Sequence, residues 1–502
     1  MLRDLLRVEL GYHTYPLTFL FFSLLRAIPE IMVPKYPVGY DTVVYYAPEI
    51  LYLHAVEPLE LLSKAPLFYL LMWVVRQAIN VDVYLLLKFV GPTLYGMMAT
   101  SFLFFLRRGL GWGERRGLLA TFICFTQPVT LRISWDLFRN ELGMFFFFTL
   151  LAVVLSKPEH KTALAGVLAA LTVLTHEFAS ILVFTVVPWV ALQMGGEDRR
   201  RTLLALAPAF ILFLYQLGPL ITASTFTHPP ENPRVIRMVE EPLLTNYLAS
   251  PMFSGVYLRL VEAVAKLTAY CYLPLLPLAA IGFQRHPSVD PMTGWLCFAS
   301  YAVLLLPTAY PFYTYYRWLI LLIFPISIYA ANGLSKMVKR WRLRGAALAA
   351  VILLLSLLSG LGYASGMGTY MRDPVVNSYL PPHLATSSMD PSQIDDCIEC
   401  LRWLNSHAGE NSVLLVEERF RGWALVYLNE EIFIAWYPAH HSVENIPINS
   451  LSENFSHVYL MWYSVGGPAD FRLMYMSGDI AVYQYLGSGG GRGHDINNRS
   501  HV

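Results

Sequence analysis

YLLLKFVGPTLYGMMATSFLFFLRR, residues 84 to 108, decides the class of this protein: an apolar run that stops on Arg107 and Arg108. A helix needs about 20 mostly apolar residues to cross the hydrocarbon core of a bilayer. Working outward, comparable runs at 14–33, 84–106, 117–132, 142–156, 162–177, 179–194, 202–222, 260–283, 292–308, 318–334 and 345–364 predict eleven transmembrane helices. Composition agrees, with 56% hydrophobic and 14% charged residues and a mean hydropathy of +0.46, where soluble domains carry about 25% charged residues. The net charge of +1, from 36 Lys and Arg against 35 Asp and Glu, offers nothing to nucleic acid. Five cysteines, with Cys124, Cys271 and Cys297 inside apolar runs, exclude a disulfide framework.

Basic residues orient the helices, because Lys and Arg accumulate in cytoplasmic loops. With the N-terminus inside, one face collects Arg3 and Arg7; Arg107, Arg108, Arg115 and Arg116; Lys157 and Lys161; Arg199, Arg200 and Arg201; Arg285; and Lys336, Lys339, Arg340, Arg342 and Arg344. The expectation is a multi-pass integral membrane protein with a cytoplasmic N-terminus. The first apolar run holds Arg26 and Glu30 and no small-residue cleavage site, so it reads as a retained span. Counting residues 66–83 as a further span would invert the basic clusters. They read instead as an interfacial or re-entrant helix within a long first external loop, 34–83.

Residues 1–365 thus form the membrane domain, with a second long external loop at 223–259. A Pro-containing linker, 366–392, leads to a small α/β domain, 393–486, expected outside the cytoplasm. Its pattern is a helix at 393–407 and strands at 411–418, 431–436, 457–464 and 479–486, before a low-complexity tail, 487–502, with a disordered composition. Cys397 and Cys400 form a Cys-x-x-Cys lacking a second ligand pair, which favours two exposed or loosely bridged thiols.

The external segments carry the unusual residues. In PKYPVGYDTVVYYAPEI (34–50), Gly39 permits a sharp turn and places Tyr40 and Asp41 just past the first span. A carboxylate there suits a general base or a metal ligand; its place before TVVYYAPEI suits a helix cap, and the residues alone favour the cap. RISWDLFRNELG (132–143) gathers Arg132, Asp136, Arg139 and Glu141. At helical spacing they pair with one another, yet charges at membrane depth mark functional sites, and the two readings balance. His176 and Glu177 fall at an outer turn, where a hydrogen-bonded structural His is the commoner case. Arg234, Arg237 and Arg259, in or at the edge of the 223–259 segment, suit phosphate binding or plain solvation. Arg317 enters a span among Tyr310, Tyr313, Tyr315 and Tyr316, either snorkelling in an aromatic belt or clamping a lipid phosphate.

Taken in order, these features resemble the GT-C superfamily of membrane glycosyltransferases, which use polyprenyl-phosphate-linked sugars. The resemblance rests on GYD at Asp41 in a long first external loop and on Lys64-x-Pro66-Leu67, similar to the Lys-Pro-Pro-Leu of aminoarabinose transferases. Asp136 in the second external loop, Arg317 opening a late span and the C-terminal external domain complete it. The resemblance implies catalytic Asp41 supported by Asp136, donor-phosphate binding by Lys64 and Arg317, and transfer of a sugar to an extracytoplasmic acceptor, whether glycan, lipid or protein. A divalent metal on Asp41 and Asp136 is optional, because the phosphate leaves already charged. Asp136 stands alone rather than in Asp-x-Asp, and the absent Trp-Trp-Asp disfavours en bloc transfer to asparagine. The alternatives are a lipid-linked-glycan flippase or polytopic transporter, which would carry midplane charges and inverted repeats, and a non-catalytic scaffold.

Overall fold

The structure, a computed structural model, describes residues 11–33, 35–55, 57–156, 161–222, 234–239, 255–305, 315–367, 389–438, 441–465 and 467–487. The sequence-derived loop 223–259 and tail 487–502, together with Tyr310 and Tyr313, fall wholly or largely outside them. The chain divides into two compact units. One comprises Met1–Thr42, Leu53–Pro230 and Pro242–Ser387; the other comprises Val43–Tyr52, Glu231–Glu241 and Ser388–Val502.

The first unit is helical. Thr14–Met32 and Val83–Phe104 run antiparallel. Thr14 donates to Glu114 Oε1 at 2.6 Å and Arg107 reaches the Gly11 carbonyl at one end, while Lys88 bonds the Glu30 carbonyl at the other. The 22 residues of Val83–Phe104 make a rod of about 33 Å, enough to span the apolar layer. In the core of the bundle Phe324 packs its ring 5.6 Å from Phe102, 6.1 Å from Phe125 and 4.9 Å from Phe148.

Each of the eleven apolar runs falls on a helix or a bent pair, but among the described residues five helices are long and apolar enough to cross a membrane, or seven if each bent pair is one span. Proline accounts for much of the difference. Glu114–Phe125 and Pro128–Asp136 meet at 68°, as do Tyr257–Tyr272 and Leu276–Gly282 around Pro274. Lys161–Val173 and Glu177–Leu192, of 13 and 16 residues, are short because Leu174–His176 leave the helix. The run 318–334 starts on the short helix Tyr315–Leu321 and shares with 345–364 one continuous assignment, Ile323–Gly362, which is broken by Arg342 at φ 48° and ψ −116°. A Cβ on Gly345 would stand 2.6 Å from the Met337 carbonyl, whereas eight residues of straight helix span about 12 Å. The chain therefore doubles back at Arg342, and 318–334 and 345–364 are separate helices. Leu67–Ile79 forms a 13-residue helix that turns Leu70, Leu71, Val74, Val75 and Ile79 outward, an apolar face suited to lipid.

The second unit is built on a six-stranded sheet: β1 (Val235–Arg237), β2 (Ser412–Glu417), β3 (Phe433–Tyr437), β4 (His457–Tyr463), β5 (Phe471–Ser477) and β6 (Ile480–Tyr485), in the order β1-β3-β2-β4-β6-β5. The first four in that order are parallel, and β6 and β5 are antiparallel additions. All six residues of β2 are buried, as a central parallel strand covered on both faces requires. Pro391–His407 and Glu418–Tyr427 pack on the sheet, the first capped by Asp390 accepting from Ser392 N–H. Four strands and one helix follow the sequence pattern. β5, whose residues are mostly exposed, the three-residue β1, and the helices Glu418–Tyr427 and Ile448–Asn454 carry no periodic signal and are additions.

The Cys-x-x-Cys thiols are neither exposed nor bridged, contrary to the sequence expectation. Cys397 and Cys400 are buried and unbridged. At i, i+3 both point into the sheet, Cys397 Sγ 4.0 Å from Met461 Sδ and Cys400 Sγ donating to the Ile480 carbonyl at 3.5 Å. Burial pushes both thiols up, Cys400 to about 12.

Candidate active site

The site begins with charges the apolar pattern conceals. Thr14–Met32 ends in carbonyls that no further turn can satisfy. Lys88 meets them from the neighbouring helix: its ammonium donates to the carbonyls of Glu30 at 2.6 Å, Val33, and Tyr36 at 3.0 Å. Glu30 receives the Val38 amide at 3.3 Å and pairs with Arg26 at 2.9 Å. Arg26, fully buried, donates through Nε to the Ser134 carbonyl at 3.0 Å and lies 4.6 Å over the Trp135 ring. A buried buckle of three charges thus fixes the path out of the first helix.

That path ends against Trp135. Gly39 has φ +108°, and a Cβ there would fall 2.2 Å from the Trp135 carbonyl oxygen, so no other residue fits. Thr42 donates to the same oxygen at 3.5 Å. Half-buried Tyr40 and Asp41 are held between these two contacts, on a segment whose backbone touches the residue preceding Asp136. Asp136 is buried and bonded to Arg132 one turn earlier. The Tyr316 and Tyr363 hydroxyls are within electrostatic reach of Arg132, and Tyr363 packs 5.3 Å from Trp135.

Tyr316 links this pair to a second cluster, since Arg317 Nε donates to its hydroxyl at 3.2 Å. Arg317 also lies 5.9 Å over Phe178, which stacks on His176 at 5.1 Å. His176 and Glu177 feel both Arg139 and Arg317. His176 Nδ1 is 3.1 Å from the Phe178 amide and 3.1 Å from Glu177 Oε2. An amide can only donate, so Nδ1 is the acceptor and the carboxylate contact is not a hydrogen bond. Arg139 donates to the carbonyls of Thr175 at 3.0 Å and Lys64 at 3.1 Å, 3.7 Å from Glu177.

Of the sequence-derived residues, the structure therefore brings together the Asp41 segment, Arg132 with Asp136, and Arg317, Arg139, His176 and Glu177. Lys64 joins through its carbonyl alone, its ammonium pairing with Glu60 at 2.8 Å. Glu141 sits apart in the interior, fully buried, in reach of Arg26. Arg259 is exposed on Gly255–Tyr272, and no contact among the described residues joins it to the cluster. Arg234 departs from the outward, phosphate-binding or solvated reading: it is buried in the second unit, donating to the carbonyls of Leu425, Leu428 and Asn429 and to the Tyr52 hydroxyl. Arg237 lies beside it over Trp436 at 5.3 Å. Sequence reasoning missed the roles of Arg26, Glu30 and Lys88, although ionisable residues inside apolar runs were the available signal.

Among the described residues no three His, Cys, Asp or Glu side chains are gathered to hold a metal. With Asp136 paired to Arg132, the described donors around Asp41 do not make a divalent site.

In backbone path this chain is similar to arabinofuranosyltransferase AftD from Mycobacteria, with a TM-score of 0.54 at 13% identity over 96% of this chain and 40% of that one. A mutant of the same enzyme gives 0.55 at 13% identity, covering 95% and 42%. ArnT from Cupriavidus metallidurans, bound to undecaprenyl phosphate, gives 0.52 at 12% identity, covering 95% of this chain and 99% of that one. The fold is that of the GT-C membrane glycosyltransferases. The chain spans about two fifths of the length of AftD and nearly all of ArnT. No family model and no curated protein matches its sequence.

Proposed function

We propose that the protein is a membrane glycosyltransferase that moves one sugar from a polyprenyl-phosphate carrier to an acceptor outside the cytoplasm, with Asp41 as general base. The observation that carries this reading is the contact of Gly39 and Thr42 with the Trp135 carbonyl, which seats the Asp41 segment beside Asp136 and Arg132. Fold similarity to an enzyme bound to undecaprenyl phosphate supports the lipid carrier. Eleven spans with basic residues inside would put this end of the bundle, and the C-terminal α/β domain, on the outer face.

The chemistry follows from charge. Asp41 takes the acceptor hydroxyl proton as that oxygen attacks the anomeric carbon; the bond from that carbon to the phosphate oxygen breaks, and polyprenyl phosphate departs with the electron pair. Arg132 and Arg317 neutralise the leaving phosphate, through fixed donors in a site of low dielectric. Asp136 then orients Arg132 rather than taking a proton itself, and Lys64 positions Arg139 through its carbonyl.

Asp41→Asn keeps the shape and removes the base. Transfer from a polyprenyl-phosphate sugar, followed by release of polyprenyl phosphate in reconstituted membranes, is expected to fall about 10²- to 10⁴-fold. Turnover at the wild-type rate would reject Asp41 as the base.

A further inference from the structure

The end of the first unit opposite Asp41 contains a cavity of about 230 Å³, lined by Trp112, Arg116, Gln284, His286, Tyr329 and Asn332 among others. It lies beyond the C-terminal end of Val83–Phe104, a helix length of about 33 Å from the site described above. Nothing in the proposed transfer uses it.

Its chemistry is that of an oxyanion site. The Arg116 guanidinium carbon stacks 3.6 Å over the Trp112 ring, and Nη2 donates to Asn332 Oδ1 at 2.9 Å. Asn332 is itself anchored by its amide on the Gly282 carbonyl. One face and one edge of the cation are thus fixed by protein, while Nε is buried without a hydrogen-bond partner. A guanidinium held this way presents its remaining donors without further loss of freedom. His286 Nδ1 accepts from the Ser288 amide at 3.4 Å, which leaves Nε2 to carry the proton and donate in the neutral ring. Gln284 adds an amide from the rim. Among the described residues no carboxylate lines the cavity, and nearby Asp290 is taken by the Tyr329 hydroxyl at 2.9 Å. Exposed Arg115, Arg285 and Lys336 surround this end of the bundle.

Size narrows the ligand. Sites for whole drug-sized molecules run from about 300 to 1,000 Å³, so a cavity of about 230 Å³ suits a compact group rather than a nucleotide sugar. We propose that this cavity binds a phosphate group at the membrane face opposite Asp41. The phosphate belongs either to a phospholipid headgroup or to a free phosphate ion, which present the same oxygens to Arg116. The proposal is independent of the sugar-transfer reading.

The test uses the full chain in phosphatidylcholine nanodiscs. Inorganic phosphate is titrated by calorimetry, and native mass spectrometry compares retention of phosphatidylglycerol with that of phosphatidylcholine. One saturable site for inorganic phosphate, weakened at least tenfold by Arg116→Gln and by Gln284→Glu, supports the cavity with a soluble ligand. Retention of phosphatidylglycerol alone, reduced as strongly by the same changes, supports it with a lipid headgroup. Gln284 is exposed, so Gln284→Glu folds whatever becomes of the Arg116 variant. It sets a carboxylate at the rim that repels either ligand. Wild-type protein that takes up neither, or uptake unchanged in Gln284→Glu, overturns the proposal.

Discussion

Gly39→Ala tests whether the turn before Asp41 is as constrained as its geometry requires. The added Cβ would start 2.2 Å from the Trp135 carbonyl oxygen, and real contacts of this kind do not fall below 3.0 Å. The segment must then retreat by at least about 0.8 Å, the difference between those values, and alanine at φ +108° adds about 1–3 kcal/mol of backbone strain. A misplacement of about 1 Å costs a positioned catalytic group about 10²-fold in rate, or about 2.7 kcal/mol of transition-state stabilisation. The assay is single-turnover sugar transfer in reconstituted membranes, with the thermal unfolding midpoint measured on the same samples. Transfer should fall about a hundredfold. Gly294→Ala is the control, since its Cβ meets nothing within 4 Å and alanine favours a helix. Wild-type transfer by Gly39→Ala would refute the claim that contact with Trp135 sets the position of Asp41.

Lys88→Met removes the ammonium shared by three backbone carbonyls and should destabilise the first unit by at least about 3 kcal/mol, from three carbonyls left unsatisfied at about 1–3 kcal/mol each; chemical denaturation of the detergent-solubilised protein measures it. Asp136→Ala leaves Arg132 as an uncompensated buried charge and should cost about 3–5 kcal/mol, whereas Asp136→Leu with Arg132→Met should recover most of that stability while leaving transfer lost. Burial holds Cys397 and Cys400 protonated, and a thiol raised to about 12 supplies almost no thiolate at pH 8. A maleimide at that pH should label neither in the native protein and both after denaturation, as read by intact mass.

Hydropathy makes the helical membrane fold legible because it acts over whole segments: apolar length drives insertion. Span counting was less secure where proline bends a helix, as at Pro128 and Pro274, since a bent pair and a straight span have the same composition. Asp41, Asp136 and Arg317 were legible as charges at the ends of apolar runs. The Lys88 buckle was not, because its partners are backbone carbonyls, which leave no mark in sequence. Charge and order single out Lys64 and Arg259, yet an ammonium 2.8 Å from Glu60 and an exposed helical arginine show that charge alone does not fix direction. Arg234 makes the same point in reverse: a loop arginine that reads as solvated is spent on carbonyls of a sheet domain formed mainly by residues far downstream.

The make-up of that sheet domain governs how the chain can be assembled and cut. β1 waits for β3, about 200 residues later, and Ala47–Tyr52 waits longer still for Glu418–Tyr427. During synthesis both early segments emerge long before their partners exist, and they must stay accessible while the intervening helices insert. Loop-closure entropy tolerates such separations, since each doubling of length costs only about 0.6 kcal/mol. A fragment expressed from residue 388 onward would lack its edge strand and the packing of Ala47–Tyr52, exposing the open edge of β3 as a template for aggregation. A soluble version of this domain would need those two early segments grafted back onto it.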